Sequence, residues 1–275
     1  MNKNIVSKFF FIPGQLKQWT KFNYKRYEIW IACINKEEQY QKIKSYLDLN
    51  LLNHYKDHLI NKLGNHFGLV IFNKSFILAA TDLSRSYPIY WKKNNNQLFL
   101  SPQAQLLKDK DDEVSHDQLL AFRMSGYTVD DKTIWKNIFN IRSGSYLFLN
   151  KSSELNIKKY YLFQPWKIEN KNILFYKNYL KKEINKLLLN IIEKAAGRTL
   201  IIPLSAGLDS RLIISGLKEK KYNNVKCFTY GLKNNFESMV ATKIAKKLQY
   251  KIKFVEINRK KARDFFESND FFNYL

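Results

Sequence analysis

Ser205, Gly207, Asp209 and Ser210 stand close together in the stretch LIIPLSAGLDSRLII, residues 200–214 of a 275-residue chain. Two hydroxyls, a carboxylate and a glycine at this spacing suit phosphate and magnesium chemistry. Hydroxyls donate to phosphate oxygens, a carboxylate takes a hard cation, and a glycine lets backbone N–H groups approach an anion. The flanking residues indicate how the set is held. Residues 200–204 are apolar, Ser205, Ala206 and Gly207 are small, and the chain turns apolar again from Leu212, which reads as strand, tight loop and helix. An apolar run bounded by small residues suits a strand buried on both faces, and Asp209 or Ser210 suits the first turn of a helix running towards Lys221. The loop is therefore expected at the carboxyl end of a parallel strand, where N–H groups and the positive end of a helix attract phosphate.

The residues choose among phosphate loops. GxxxxGK followed by Ser or Thr is absent, and so is GxGxxG. SAGLDS resembles instead the SGGxDS pyrophosphate loop of the PP-loop ATP pyrophosphatases. More narrowly, PLSAGLDSR with the downstream CFTYG, Glu237 and ATKIAKKL resembles the synthase domain of the asparagine synthase family. That resemblance implies ATP and Mg2+ as cofactors. It implies Ser205, Gly207 and Ser210 facing the phosphates, Asp209 on the magnesium side and Leu204 offering backbone to the nucleotide. Ala206 departs from the pattern, because Gly is usual there; its methyl is tolerable at negative φ and obstructive at positive φ. A strand, a small-residue turn and a capped helix also occur in any α/β protein, so the surroundings matter. Residues 225–230 read as a second buried strand ending at Gly231, residues 237–248 as a crossover helix and residues 252–257 as a third strand. Together they make the βαβαβ half of a doubly wound parallel sheet.

Length and composition bound the rest. A chain of 275 residues has room for two modest domains, and 45% hydrophobic with 15% aromatic residues argues against disorder. The formal charge of +23 has two readings, a basic surface for nucleic acid or anionic membrane, or a general preference for Lys and Asn. Lysines run from Lys3 to Lys261 without an aromatic-interleaved cluster, which favours the general preference and no specific nucleic-acid partner. No apolar run reaches the ~18 residues of a membrane span, and Lys8 interrupts the N-terminal apolar patch before any cleavage site, so neither membrane nor secretion is expected. Cys33 and Cys227, far apart in sequence, read as reduced core thiols of a cytoplasmic protein. His54 and His58 have the four-residue spacing of metal ligands, but Tyr55 stands where a zinc-protease motif has Glu; a solvated helix face is the alternative.

The first half reads as β-rich. Residues 28–34 and 69–80 suit strands, the latter with a turn at Asn73 and Lys74. Residues 37–62 have helical spacing that Asn50 and Asn53 can split. Residues 87–91 and 97–101 flank the polar run 92–96 as a hairpin, residues 115–125 suit a short helix, and Gly144 turns the chain between strands in 133–149. ATDLSRSYPIYW resembles the RDxxGxxPLYY segment of class II glutamine amidotransferase domains, and LFLSPQAQLL and TIWKNIFNIRSGSYL resemble the segments that follow it. The resemblance implies an Ntn-like β-rich sandwich over residues 1–160. Asp82 matches the family Asp that holds the glutamine amino group, although a structural, turn-capping role is the favoured reading, while Thr81 replaces Arg and Arg85 replaces Gly. A glutaminase of this class uses an N-terminal cysteine with its own α-amine as base. Residue 2 is Asn2, and Cys33 falls inside an expected strand, so glutamine hydrolysis is not expected.

Residues 161–170 form a linker with aromatic residues around Pro165, and residues 171–275 form the synthase-like domain. Its first helix, residues 173–192, carries an apolar stripe expected to be core, with Gly197 as its stop. After the third strand only one helix-like stretch follows, residues 259–275, so the domain is expected to be C-terminally incomplete. The expected fold is thus α/β and α+β: an Ntn-like β-rich sandwich followed by an incomplete doubly wound parallel-sheet PP-loop domain. The function implied by resemblance is an ATP-dependent amide-forming ligase lacking glutaminase activity and acting on a small-molecule or peptide carboxylate. Its alternatives are an inactive remnant, a non-catalytic nucleotide-binding or basic interaction module, and one half of a split cyclase completed by a second polypeptide.

Overall fold

The computed structural model describes residues 8–15, 17–49, 52, 55–64, 66–150, 155–167 and 170–268. It divides into two compact units, Met1–Lys167 and Ile168–Leu275, both mixing strands with helices.

The first unit contains β1 (Lys8–Phe11), β2 (Trp19–Tyr24), β3 (Tyr27–Ala32), α1 (Lys36–Asp48), α2 (Lys56–Lys62), β4 (Gly68–Phe72), β5 (Phe76–Thr81), β6 (Tyr90–Asn94) and β7 (Gln97–Ser101). A 3-10 turn (Ala104–Leu107), α3 (His116–Ser125), β8 (Phe139–Asn140), β9 (Ser145–Asn150) and β10 (Asn156–Lys159) complete it. A six-stranded sheet has the order β10-β9-β5-β4-β3-β2 and is antiparallel throughout. A four-stranded sheet has the order β1-β7-β6-β8, with β1 parallel to β7.

Central β5, FILAAT, is buried at every position because both its faces are covered. Leu78 and Ala80 face a cluster with Ile43 of α1 and Leu59 and Ile60 of α2. Ile77 and Ala79 face a second cluster with Phe9 and Phe11 of β1 and Leu98 and Leu100 of β7. The layers are therefore helix, six-stranded sheet and four-stranded sheet. The expected helix over 37–62 is two helices, and Asn50 and Asn53 lie outside the described residues. The expected hairpin is β6 and β7, but the first strand runs on to Asn94 and buries Lys92. Lys92 is stabilised there by ion pairs of 2.6 Å to Asp109 and 2.5 Å to Asp112. Cys33 lies just beyond the end of β3 rather than within it, buried, and neither it nor Cys227 is in a disulfide. His54 is outside the described residues, while His58 lies on the exposed face of α2, where its Nδ1 pairs with the Tyr46 hydroxyl.

The second unit is α4 (Ile173–Ala195), β11 (Leu200–Pro203), α5 (Leu208–Glu219), β12 (Val225–Gly231), α6 (Phe236–Lys247), β13 (Lys251–Glu256) and α7 (Arg259–Phe266). The three strands are parallel in the order β11-β12-β13, each joined to the next through a helix. Leu188 of α4, Ile214 and Leu217 of α5, Val225 and Cys227 of β12, and Ala241 and Ala245 of α6 form the core. Gly216 permits the approach of α4 to α5: a β-carbon there would lie 2.4 Å from Leu188 Cδ1.

Two expectations fail here. Neither β11 nor β12 is buried on both faces: one face of each is open, with Ile201 66% and Tyr230 57% exposed. The stripe of α4 is core only in its carboxyl half, where Leu188 is buried and Ile184, Ile191 and Ile192 pack against the core. Leu174 and Leu180 are 62% and 60% exposed. A helix of 23 residues spans ~34 Å, while four- to seven-residue strands span only ~13–23 Å, so the helix outruns the sheet.

Candidate functional site

β11 delivers the chain to the loop. Leu204 is buried, and its N–H donates to the Phe228 carbonyl of β12, continuing the parallel ladder by one residue. The chain then turns through Ser205 and Ala206, and Gly207 becomes the N-cap of α5, with φ −68° and ψ 157°. Neither Asp209 nor Ser210 is the cap; both lie in the first helical turn. Ala206 is outside the positive-φ region, so its methyl group meets no backbone penalty.

Local hydrogen bonds fix the loop. Gly207 N–H donates to Ser205 Oγ at 3.0 Å, and Ser205 N–H donates to Ser210 Oγ at 3.2 Å. The two seryl oxygens are 3.2 Å apart, and Arg211 Nε donates to the Gly207 carbonyl at 3.2 Å. A β-carbon at Gly207 would come within 3.1 Å of Ser205 Oγ, so the bare glycine keeps the hydroxyl pair in place. The first turn of α5 supplies backbone N–H groups with no acceptor inside the helix, and the helix dipole places partial positive charge there. The structure thus brings Ser205, Gly207 and Ser210 together at the start of α5, with exposed Asp209 in its first turn, while the Leu204 N–H is taken by the strand ladder.

Among the described residues, no three His, Cys, Asp or Glu side chains are grouped as a metal cage. The exposed Asp209 carboxylate fits a different mode of holding magnesium, in which one or two carboxylates share the ion with phosphate oxygens and water. Glu237 is in the first turn of α6, whose N-cap Asn235 accepts from Ser238 N–H at 2.9 Å. A groove of ≈450 Å³ along α6, lined in part by Lys233, Met239, Lys243 and Lys246, includes none of the loop residues.

Asp82 sits in the first unit just after β5 and is 1% exposed. Its Oδ2 accepts from Phe67 N–H and Ser86 N–H, each at 3.0 Å, and its Oδ1 from Ser84 N–H at 2.7 Å. Its backbone carbonyl accepts from Gly144 N–H at 3.0 Å. Asp82 therefore ties the turn after β5 both to the entry of β4 and to the turn before β9. Arg85, where the resembling motif has Gly, has φ 52° and donates to Asn140 Oδ1 at 2.8 Å. The Tyr160 hydroxyl donates to the Thr81 carbonyl at 2.7 Å; burial, then the nearby Asp82 charge, pushes that phenol upward. The sequence marks Asp82 but not this convergence, which joins residues far apart in the chain.

No family model matches the chain, and no curated protein does. Among solved structures, the chain is similar to the glutamine phosphoribosylpyrophosphate amidotransferase of B. subtilis complexed with ADP and GMP, at 11% identity and TM-score 0.29. It is also similar to a structure described as the allosteric regulatory enzyme of purine biosynthesis, at 11% identity and TM-score 0.24. Each match covers 89% of this chain and 52% or 51% of the other, so the chain spans about half their length. Neither superposition is close enough to transfer a fold or a site.

Proposed function

We propose that the chain is an asparagine synthase-like, ATP-dependent amide-forming ligase without glutaminase activity. The observation that supports this reading is the loop at the carboxyl end of β11, where the seryl pair meets the start of α5 and exposed Asp209 lies in that first turn. In the proposed reaction a substrate carboxylate oxygen attacks the α-phosphorus of ATP and the bond to pyrophosphate breaks. A nitrogen nucleophile then attacks the acyl carbon, its proton is lost and AMP leaves. Ser205, Ser210 and the N–H groups of α5 bind and orient the departing pyrophosphate, and Asp209 holds the magnesium side. Magnesium supplies neutralisation of phosphate charge when bound.

Calorimetric titration with magnesium ATP tests the loop. Wild type should bind saturably, and Asp209→Ala should weaken binding about tenfold, ~1.4 kcal/mol. The exposed position of Asp209 makes that substitution safe for folding. No binding by folded wild type, or equal binding by the variant, would overturn the reading in favour of a remnant or a non-catalytic module.

The proposed lack of glutaminase activity is supported by the burial of Cys33, which keeps that thiol from a substrate. Purified protein should release no ammonia from glutamine. Release that Cys33→Ala abolishes would refute this. The exposed apolar residues of the second unit, among them Ile201, Leu208 and Phe236 at 66%, 75% and 71%, favour the related reading of one half of a split ligase.

A further inference from the structure

The three parallel strands of the second unit have one covered face and one open face. Parallel register puts paired residues on the same side, and Val225, Cys227 and Thr229 of β12 point to the side packed by helices. The opposite side carries Ile201 and Pro203 of β11, Phe228 and Tyr230 of β12 and Val255 of β13, of which Ile201, Tyr230 and Val255 are 66%, 57% and 40% exposed. Phe228 and Tyr230 stack with ring centroids 6.4 Å apart. All-parallel sheets are otherwise buried on both faces, because each face is apolar enough to require a cover.

The charge on this face says what kind of cover fits. Lys226, Lys251 and Lys253 occupy its remaining positions, all exposed, and among the described strand residues no carboxylate shares the face with them. Lys226 and Lys251 are direct cross-strand partners, and Lys253 is the partner of Phe228. Like charges placed directly opposite one another oppose strand pairing. An anionic group lying across them converts that repulsion into attraction. The lysines gather towards one corner, beside the apolar band.

We propose that this open face docks an amphipathic helix of a partner polypeptide, with an apolar stripe seated on Ile201, Phe228, Tyr230 and Val255 and acidic residues along the flank that meets Lys226, Lys251 and Lys253. The inference rests on the sheet alone and is independent of nucleotide binding by the loop. A basic or neutral helix would leave the lysine corner unpaired, and a polyanion such as nucleic acid would leave the apolar band in water.

The test uses the full chain and two fluorescein-labelled synthetic helical peptides of about 18 residues, long enough to form several helical turns. Both carry Leu and Ile at helical spacing, and they differ only in having Glu or Lys along the flanks. In fluorescence anisotropy the Glu peptide should bind saturably. The triple variant K226E/K251E/K253E should weaken it at least tenfold and prefer the Lys peptide instead. Ile201→Asp should also weaken the Glu peptide at least tenfold. The control variant K181E/K182E/K186E, which reverses the same amount of charge on α4, should change its affinity less than twofold. Far-UV circular dichroism confirms that each variant is folded. Absence of saturable binding, or equal loss from the two triple reversals, would overturn the proposal. So would a dimer of the chain in sedimentation equilibrium that Ile201→Asp dissociates, because the occupant would then be a second copy. Magnesium ATP titration of the triple variant should match wild type, separating a failure here from a failure of the loop.

Discussion

Asp82→Ala should lower the stability of the first unit by about 3–5 kcal/mol, among the largest single-residue effects in the chain. The substitution removes no apolar packing of consequence. Its cost comes from three backbone N–H groups, those of Phe67, Ser84 and Ser86, that lose their acceptor at a carboxylate 1% exposed. A buried donor without a partner, as at Phe67, costs about 1–3 kcal/mol, and the three losses are less than additive because the turn can relax towards water at exposed Ser84 and Ser86. Asp82→Asn should cost roughly half as much, since one oxygen remains while the new NH2 group faces donors. All five tryptophans, Trp19, Trp30, Trp91, Trp135 and Trp166, lie in the first unit. Urea unfolding followed by tryptophan fluorescence therefore isolates it from the second. A Trp-detected midpoint unchanged by Asp82→Ala would show that the carboxylate is not structural, and would return weight to a ligand-holding role.

The division between what the sequence reveals and what it hides follows the range of the interactions. Asn73 and Lys74 between two apolar runs mark the β4–β5 hairpin because the turn lies within a few residues, and Asn73 Oδ1 accepts from the Ser75 and Phe76 N–H groups. The order β11, α5, β12, α6, β13 is equally legible, since each element carries its own periodicity and its own stop. β1 is not, because it pairs with β7, almost ninety residues later, and β10 is not, because NIKK is an exposed edge strand with little apolar signal. The open face of β11 and the uncovered half of α4 are invisible for the same reason: an apolar pattern states that a face should be covered, not that something in the chain covers it. At the loop, the identities of Ser205, Gly207, Asp209 and Ser210 announce the chemistry. Their arrangement needs coordinates, because the seryl pairing and the negative φ at Ala206 depend on how β11 enters α5.

Lys92 shows how far a local reading can mislead, and its replacement is the second large effect. In KKNNN it looks like part of a solvated turn, yet its side chain is 7% exposed and lies between Asp109 and Asp112, themselves 61% and 5% exposed. Lys92→Met should cost about 3–5 kcal/mol at neutral pH, because it leaves the Asp112 charge buried without its cation. Burial by itself would raise the Asp112 carboxyl; the Lys92 hydrogen bond and the Asp109 N–H outweigh it and hold the group below the usual range. For Lys92, burial would lower the amine, and the hydrogen bonds to Asp109 and Asp112 outweigh it and raise it. A carboxyl depressed in the folded state stabilises above its unfolded value, and the contribution fades as pH falls through the folded one. A raised amine stabilises below its unfolded value and loses that contribution as pH climbs through the folded one. In Lys92→Met, Asp112 keeps the Asp109 N–H but loses the cation that outweighed its burial, so acid relieves the variant while it weakens wild type. The stability gap should therefore be widest near pH 7 and narrow below pH ~4, where carboxylates take up protons. The double variant K92M/D112L should recover most of the loss, since an apolar pair of similar volume avoids both desolvation costs and leaves Asp109 in water. Trp-detected urea unfolding at pH 7 and at pH 3.5 measures both effects. A gap that stays constant across that range would mean that Lys92 contributes through the packing of its methylene stem rather than its charge.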